Sequence, residues 1–91
     1  MKHTIRRQLV EDACKCTELN HFLDIISTDD NKEIDDYTDA EIIAEAQYVS
    51  SLYTEGGTAQ SECLSGDCGK ISQRNARREL KELKWFLKKH S

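Results

Sequence analysis

Apolar side chains recur at intervals of three and four residues along three stretches of the chain. They nowhere alternate with the period of two that a half-buried strand requires. In the first stretch Ile5, Leu9, Ala13, Cys16, Leu19, Leu23 and Ile26 follow at helical spacing. They predict a helix over about 4–27, as one piece or as two in series, with Thr17 placed to cap a second piece after a break near 14–17. The second stretch opens on Thr38-Asp39-Ala40-Glu41. This is the capping-box pattern, a hydroxyl to accept a bond and a Glu three residues on to return one. Ile42, Ile43, Ala46, Val49 and Tyr53 then share a broad face to about residue 54, and Gly56-Gly57 ends the helix. In the third stretch Ala76, Leu80, Leu83 and Leu87 form a stripe over about 72–89, with Ser72 as the cap. Residues 28–37 read as an acidic connector and 55–71 as a loop rich in Gly, Ser and Thr. The expected architecture is all-α, an antiparallel bundle of three helices, or four, with a long cysteine-containing loop before the last one.

A chain of 91 residues forms a single domain, 1–91. At this size only ~60–65% of the unfolded surface is buried, enough for one core but too little for a core and a deep cofactor cleft. The absence of proline leaves the helical stretches without a strong breaker. Net charge is −4 and the pI about 5.3. Such a molecule is repelled at long range by nucleic acid and by anionic membranes, and suits a basic partner. The basic residues Lys2, Arg6 and Arg7 are followed by no apolar signal core. No run approaches the ~20 apolar residues that span a bilayer. The expected location is the cytoplasm of a bacterial or host cell, where cysteines are reduced or metal-bound.

Four cysteines fall in two local pairs, Cys14-x-Cys16 and Cys63-x4-Cys68, the ligand count of a structural zinc site. Zinc would staple the long loop to the first helix, as small domains often require. The spacing argues the other way. Residues two apart on a helix point ~200° from each other, and a one-residue gap is shorter than zinc modules use. Without metal, Cys16 belongs to the core, Cys14 to the periphery, and the loop pair is free or joined in a local disulfide.

Asp29, Asp30, Glu33, Asp35, Asp36, Asp39, Glu41 and Glu45 crowd into seventeen residues. A calcium loop counted from Asp29 would place Ile34 where a glycine is needed and Ala40 where the bidentate Glu belongs, so the EF-hand reading is poor. Catalytic carboxylate pairs need one group desolvated, and a run this dense is normally solvated. Two uses are left. One is charge pairing with the basic last helix. The other is a docking face for a Lys/Arg surface, where complementary charge raises the on-rate and selects partners. Glu41, Glu45, Tyr48 and Leu52 lie on the face of the second helix away from Ile42; Tyr48 and Leu52 either meet the third helix of the bundle or, if exposed, give that docking face an aromatic centre.

On the last helix Arg74, Arg77, Arg78, Lys81, Lys84, Lys88 and Lys89 form a stripe separate from the leucines, with Trp85 inside it and Phe86 on the opposite flank of the core stripe. Trp85 suits three uses: packing against the first helix under lysine stems, anchoring a protein interface, or stacking a nucleic-acid base. The glycine pattern around Gly66 lacks the phosphate-loop spacing, and His3, His21 and His90 are scattered with no nucleophile or orienting carboxylate in register. No constellation reads as catalytic.

In size, acid-rich middle, the Thr38-Asp39-Ala40-Glu41-Ile42-Ile43 helix start and the ending Lys84-Trp85-Phe86-Leu87-Lys88-Lys89, the chain resembles small accessory proteins of phages and mobile elements, anti-CRISPR proteins among them. The resemblance implies stoichiometric inhibition through an acidic surface. The expectation is therefore a non-enzymatic protein-binding module without a resident cofactor. It would dock Asp29, Asp30, Glu33, Asp35, Asp36, Glu41, Glu45, Tyr48 and Trp85 on a basic, nucleic-acid-handling protein. The alternatives are a zinc module on Cys14, Cys16, Cys63 and Cys68, and a nucleic-acid binder using the last helix and Trp85.

Overall fold

The computed structural model describes the backbone of residues 2–66 and 68–90, and the side chains from Arg6 onward within that span. The described residues form five α-helices and one 3-10 turn. They are α1 (Lys2–Lys15), α2 (Thr17–Asp30), the turn Ile34–Asp36, α3 (Asp39–Thr54), α4 (Ala59–Leu64) and α5 (Lys70–His90). The all-helical expectation holds, and the helix count exceeds it.

The first stretch is two helices. Cys16 is extended (φ −85°, ψ 106°) and serves as the N-cap residue of α2, although its side chain makes no capping bond. Its thiol instead donates to the Glu82 carbonyl at 3.3 Å, and the residue has no solvent exposure. Tertiary packing against α5 sets the break, and Thr17 is the first helical residue, not the cap. At the other end of α2, Asn31 takes the left-handed conformation (φ 54°) and donates to the Ser27 and Thr28 carbonyls. That closure suits Asn, which tolerates this region better than most residues.

The capping box at α3 forms as the sequence predicts. Glu41 N–H donates to Thr38 Oγ1 at 3.1 Å, and Thr38 N–H donates to Glu41 Oε1 at 3.0 Å. Thr38→Ala is expected to destabilise the protein by about 1 kcal/mol. A thermal melt followed by circular dichroism measures it, and an unchanged midpoint would show that α3 is held by packing alone.

The expected loop 55–71 contains α4. Its N-cap is Thr58, with Ser61 in the position a Glu or Gln usually takes in a capping box. A disulfide joins Cys63, in the last turn of α4, to Cys68 beyond it, and Cys63 and Leu64 pack on the core. The last helix begins at Lys70, so Ser72 lies inside its first turn and does not cap it.

One apolar cluster draws on α1, α2, α3 and α5. Leu19, Leu23, Ile42, Val49, Leu83 and Phe86 are its largest fully buried apolar side chains. Phe86 is deep in the core while Leu87 is only half-buried. The buried arc of α5 is thus wider than the leucine stripe, because α3 and the α1–α2 pair both pack on it. Contacts of Phe22 with Tyr48 and of Asp30 with Tyr37 run α2 and α3 antiparallel. Those of Asp12 with His90 and of Cys16 with Glu82 do the same for α1–α2 and α5. Among the described residues no helix is long and apolar enough to cross a membrane.

Candidate functional site

The acidic connector is held by α1, not by the basic last helix. Arg6 donates to Asp39 Oδ1 at 2.6 Å, to the Asp35 carbonyl at 3.2 Å, to the Ile34 carbonyl at 3.5 Å and to the Tyr37 carbonyl. One planar guanidinium thereby gathers the 3-10 turn and the start of α3, a task that needs Arg's forked donors. Tyr37, read from sequence as part of a solvated connector, is buried, and its hydroxyl donates to Asp30 Oδ2 at 2.8 Å. Burial, with the Asp30 carboxylate beside it, pushes the phenol up to about 12.

Between α2 and α3 runs a groove of ≈350 Å³ lined by Ile26, Asp30, Tyr37, Glu41, Ala44 and Glu45. Glu41 is held below the usual carboxylate range by its bonds to Thr38, whereas burial raises Glu45. Tyr48 is 53% exposed and meets the ring of Phe22 edge-on. Ile25, 42% exposed, stands one turn along α2 from Phe22. The structure thus brings Asp30, Glu41, Glu45 and Tyr48 to one seam. Glu33 and Asp36 line a different, polar groove of ≈440 Å³ beside Asp24 and Lys32, and cap each other's turn. Asp29 and Asp35 are exposed and line neither groove. Among the described residues, Asp39 is the one acidic group of the 29–45 segment in an ion pair.

Trp85 does not join this seam. It is 44% exposed and borders a groove of ≈290 Å³ between α5 and the α1–α2 elbow, with Lys15, Cys16, Arg78, Lys81 and Glu82. Lys89 Nζ lies 5.2 Å from its ring centroid. Arg74, Arg77, Arg78, Lys81, Lys84 and Lys88 are all exposed, and none forms an ion pair with another described residue.

The four sulfurs are not gathered at one point. Cys63 and Cys68 are bonded to each other, Cys16 is buried against Glu82, and Cys14 is exposed. Among the described residues no group of three or more His, Cys, Asp or Glu is arranged to hold a metal ion. Burial pushes the Cys16 thiol up to about 12, which disfavours the thiolate that metal binding and nucleophilic attack both need.

The sequence reading missed a buried polar cluster. Asp12 has no solvent exposure and accepts from Gln8 at 2.9 Å, with Lys89 Nζ at 2.9 Å and His90 Nε2 at 2.7 Å. Burial alone would raise its pKa; the bonds from Lys89, His90 and Gln8 outweigh it and hold the carboxyl at about 2. A signal existed. Asp12 lies three residues from Leu9 and four from Cys16, inside the apolar arc of α1. An Asp at such a position needs partners, and these come from the far end of the chain. The carboxylate contacts no solvent, so the cluster fixes α5 to α1 and does not face a substrate.

A second polar pair joins α3 to α5. The Tyr53 hydroxyl donates to Glu79 Oε2 at 2.7 Å, at a groove of ≈340 Å³ shared by Glu18, Gln60, Cys63, Asn75 and Ala76. Burial and Glu79 raise both the Tyr53 phenol and the Glu18 carboxyl.

No protein-family model matches the chain, and no curated protein or solved structure matches it either.

Proposed function

We propose that this protein is a non-enzymatic interaction module that docks its α2–α3 face on a basic surface of a larger protein. The observation that carries this reading is the pairing of unneutralised charge with exposed apolar area. Asp30, Glu41 and Glu45 line the seam without a cation partner among the described residues, and Tyr48 and Ile25 stand exposed at its end. An aromatic anchor supplies contact area and the carboxylates supply steering and selection. A surface that otherwise holds nucleic-acid phosphates has the complementary charge. Occupying it would make the module an inhibitor, the role that the likeness to phage accessory proteins implies.

The test uses a synthetic Arg/Lys-rich helical peptide as the basic surface. Changing Asp30 to Asn and Glu41 and Glu45 to Gln is expected to weaken binding roughly ten-fold at low salt and to flatten the salt dependence. The amide oxygens can still accept from the Tyr37 hydroxyl and from Thr38 N–H, so the turn and the start of α3 are expected to stay folded. Equal affinity of the folded triple variant would remove the acidic-face mechanism.

A further inference from the structure

We propose that the exposed face of α5, centred on Trp85, binds single-stranded nucleic acid, on a surface separate from the α2–α3 seam. At 100° per residue, Arg74, Arg77, Arg78, Lys81, Lys84 and Lys88 occupy an arc of ~120°, with Trp85 inside it. From Arg74 to Lys88 this face runs ~21 Å along the helix. All six cations are exposed, and none is neutralised by a described carboxylate. The chain as a whole is acidic, so this face owes its sign to segregation: the carboxylates of 29–45 belong to α2, the turn and α3.

Charge alone would suit any polyanion, and the indole decides among them. Trp85 borders the α5 groove and has Lys89 against its ring. Lys89 is itself fixed by the buried Asp12, so the ring is braced before any ligand arrives. The carboxylate in the groove, Glu82, accepts the Thr17 N–H at 3.4 Å at the start of α2. The wall offered to a ligand is therefore an indole with Lys15, Arg78 and Lys81 around it. Cations that track phosphates and an aromatic face that stacks a base together describe single-strand binding. A duplex keeps its base faces stacked internally and would use only the cations. An acidic peptide matches the charge and brings no planar ring.

Trp85 is the single tryptophan, so its fluorescence reports this site alone. The experiment titrates the full chain at low salt with an oligo-dT strand, an RNA of equal length, the corresponding duplex, and polyglutamate. Saturable quenching by both single strands is expected, with affinity falling by a log–log salt slope of roughly 0.7 per phosphate contacted. Trp85→Ala, followed by anisotropy of a labelled strand, is expected to weaken binding about ten-fold with little change in that slope. Arg78→Glu with Lys81→Glu is expected to abolish it while the helical circular dichroism is retained.

Four results would overturn the proposal. These are no quenching by single strands, polyglutamate binding as tightly as dT, duplex binding as tight as single-strand binding with no effect of Trp85→Ala, or self-association through this face that excludes the oligonucleotide. The Asp30→Asn, Glu41→Gln, Glu45→Gln variant is expected to keep the strand or hold it slightly tighter. Failure of the acidic-face reading is therefore distinguishable from failure here.

Discussion

Asp12→Ala is expected to lower stability by about 3 kcal/mol, the low end of what breaking a buried ion pair costs. The value is low because Lys89 is 43% exposed and can return to water, whereas the His90 side chain, 9% exposed, loses its partner inside. For a domain of this length the melting temperature should fall by roughly 12–24 °C, at ~4–8 °C per kcal/mol. Asp12→Asn keeps the shape and one acceptor and should cost less. A drop under about 0.5 kcal/mol for Asp12→Ala, the size of an ordinary surface change, would show that the cluster is not coupled to the fold.

Acid should reproduce part of this effect. The Asp12 carboxyl is held at about 2 against an ordinary 3.8, so its contribution is present above pH ~4 and is lost as pH falls through ~2. Glu18 and Glu45 act in the opposite sense, because burial raises both. Each takes up its proton more readily folded than unfolded, which favours the fold as pH approaches their ordinary 4.5 from above. Stability should therefore hold down to about pH 4.5 and drop steeply below 4. In the Asp12→Asn variant the steep part should be shallower, which urea titrations at a series of pH values would resolve.

The second large effect is expected at Arg6. Arg6→Ala removes a guanidinium that bonds Asp39 and three carbonyls of the connector, and should cost about 2 kcal/mol. Arg6→Lys should recover only part of this, since an ammonium can approach Asp39 but cannot span the carbonyls as a fork does. The local reading is hydrogen exchange at Asp36 and Tyr37, whose amides close the 3-10 turn on Glu33 and Ile34. Faster exchange confined to this turn is the expected result. Unchanged protection in a folded Arg6→Ala protein would mean that the turn holds itself.

The features legible in the sequence were those with a local cause. Thr38 and Glu41 are three residues apart and satisfy each other, so the α3 start was readable at once. The Leu19, Leu23, Ile42, Val49 and Leu83 core positions followed from helical spacing. The elbow at Cys16 was readable only as one of two alternatives, because it carries no proline or glycine; its cause is a thiol seated against Glu82, sixty-six residues away. Arg6 is a basic residue on an amphipathic helix, and three of its partners are backbone carbonyls, which no sequence pattern marks. α4 was hidden because Ser61 stands where the capping box usually has Glu or Gln. The acidic residues of 29–45 were visible as a group, yet the fold divides them. Asp30, Glu41 and Glu45 face one groove, Glu33 and Asp36 another, and Trp85 belongs to neither.

The contact between Asp12 and His90 joins residues 78 positions apart. During synthesis the rest of α1 and α2 can form early, because their bonds are local. Asp12 must wait for Lys89 and His90 to emerge before its charge is compensated. Until then the carboxylate has only Gln8 and the more distant Lys15 beside it where the core should close, and the first helix cannot settle fully against α5. Removal of the last few residues by a protease, or a premature stop near codon 88, would leave the nascent chain in that waiting state, a substrate for quality control despite its complete apolar core.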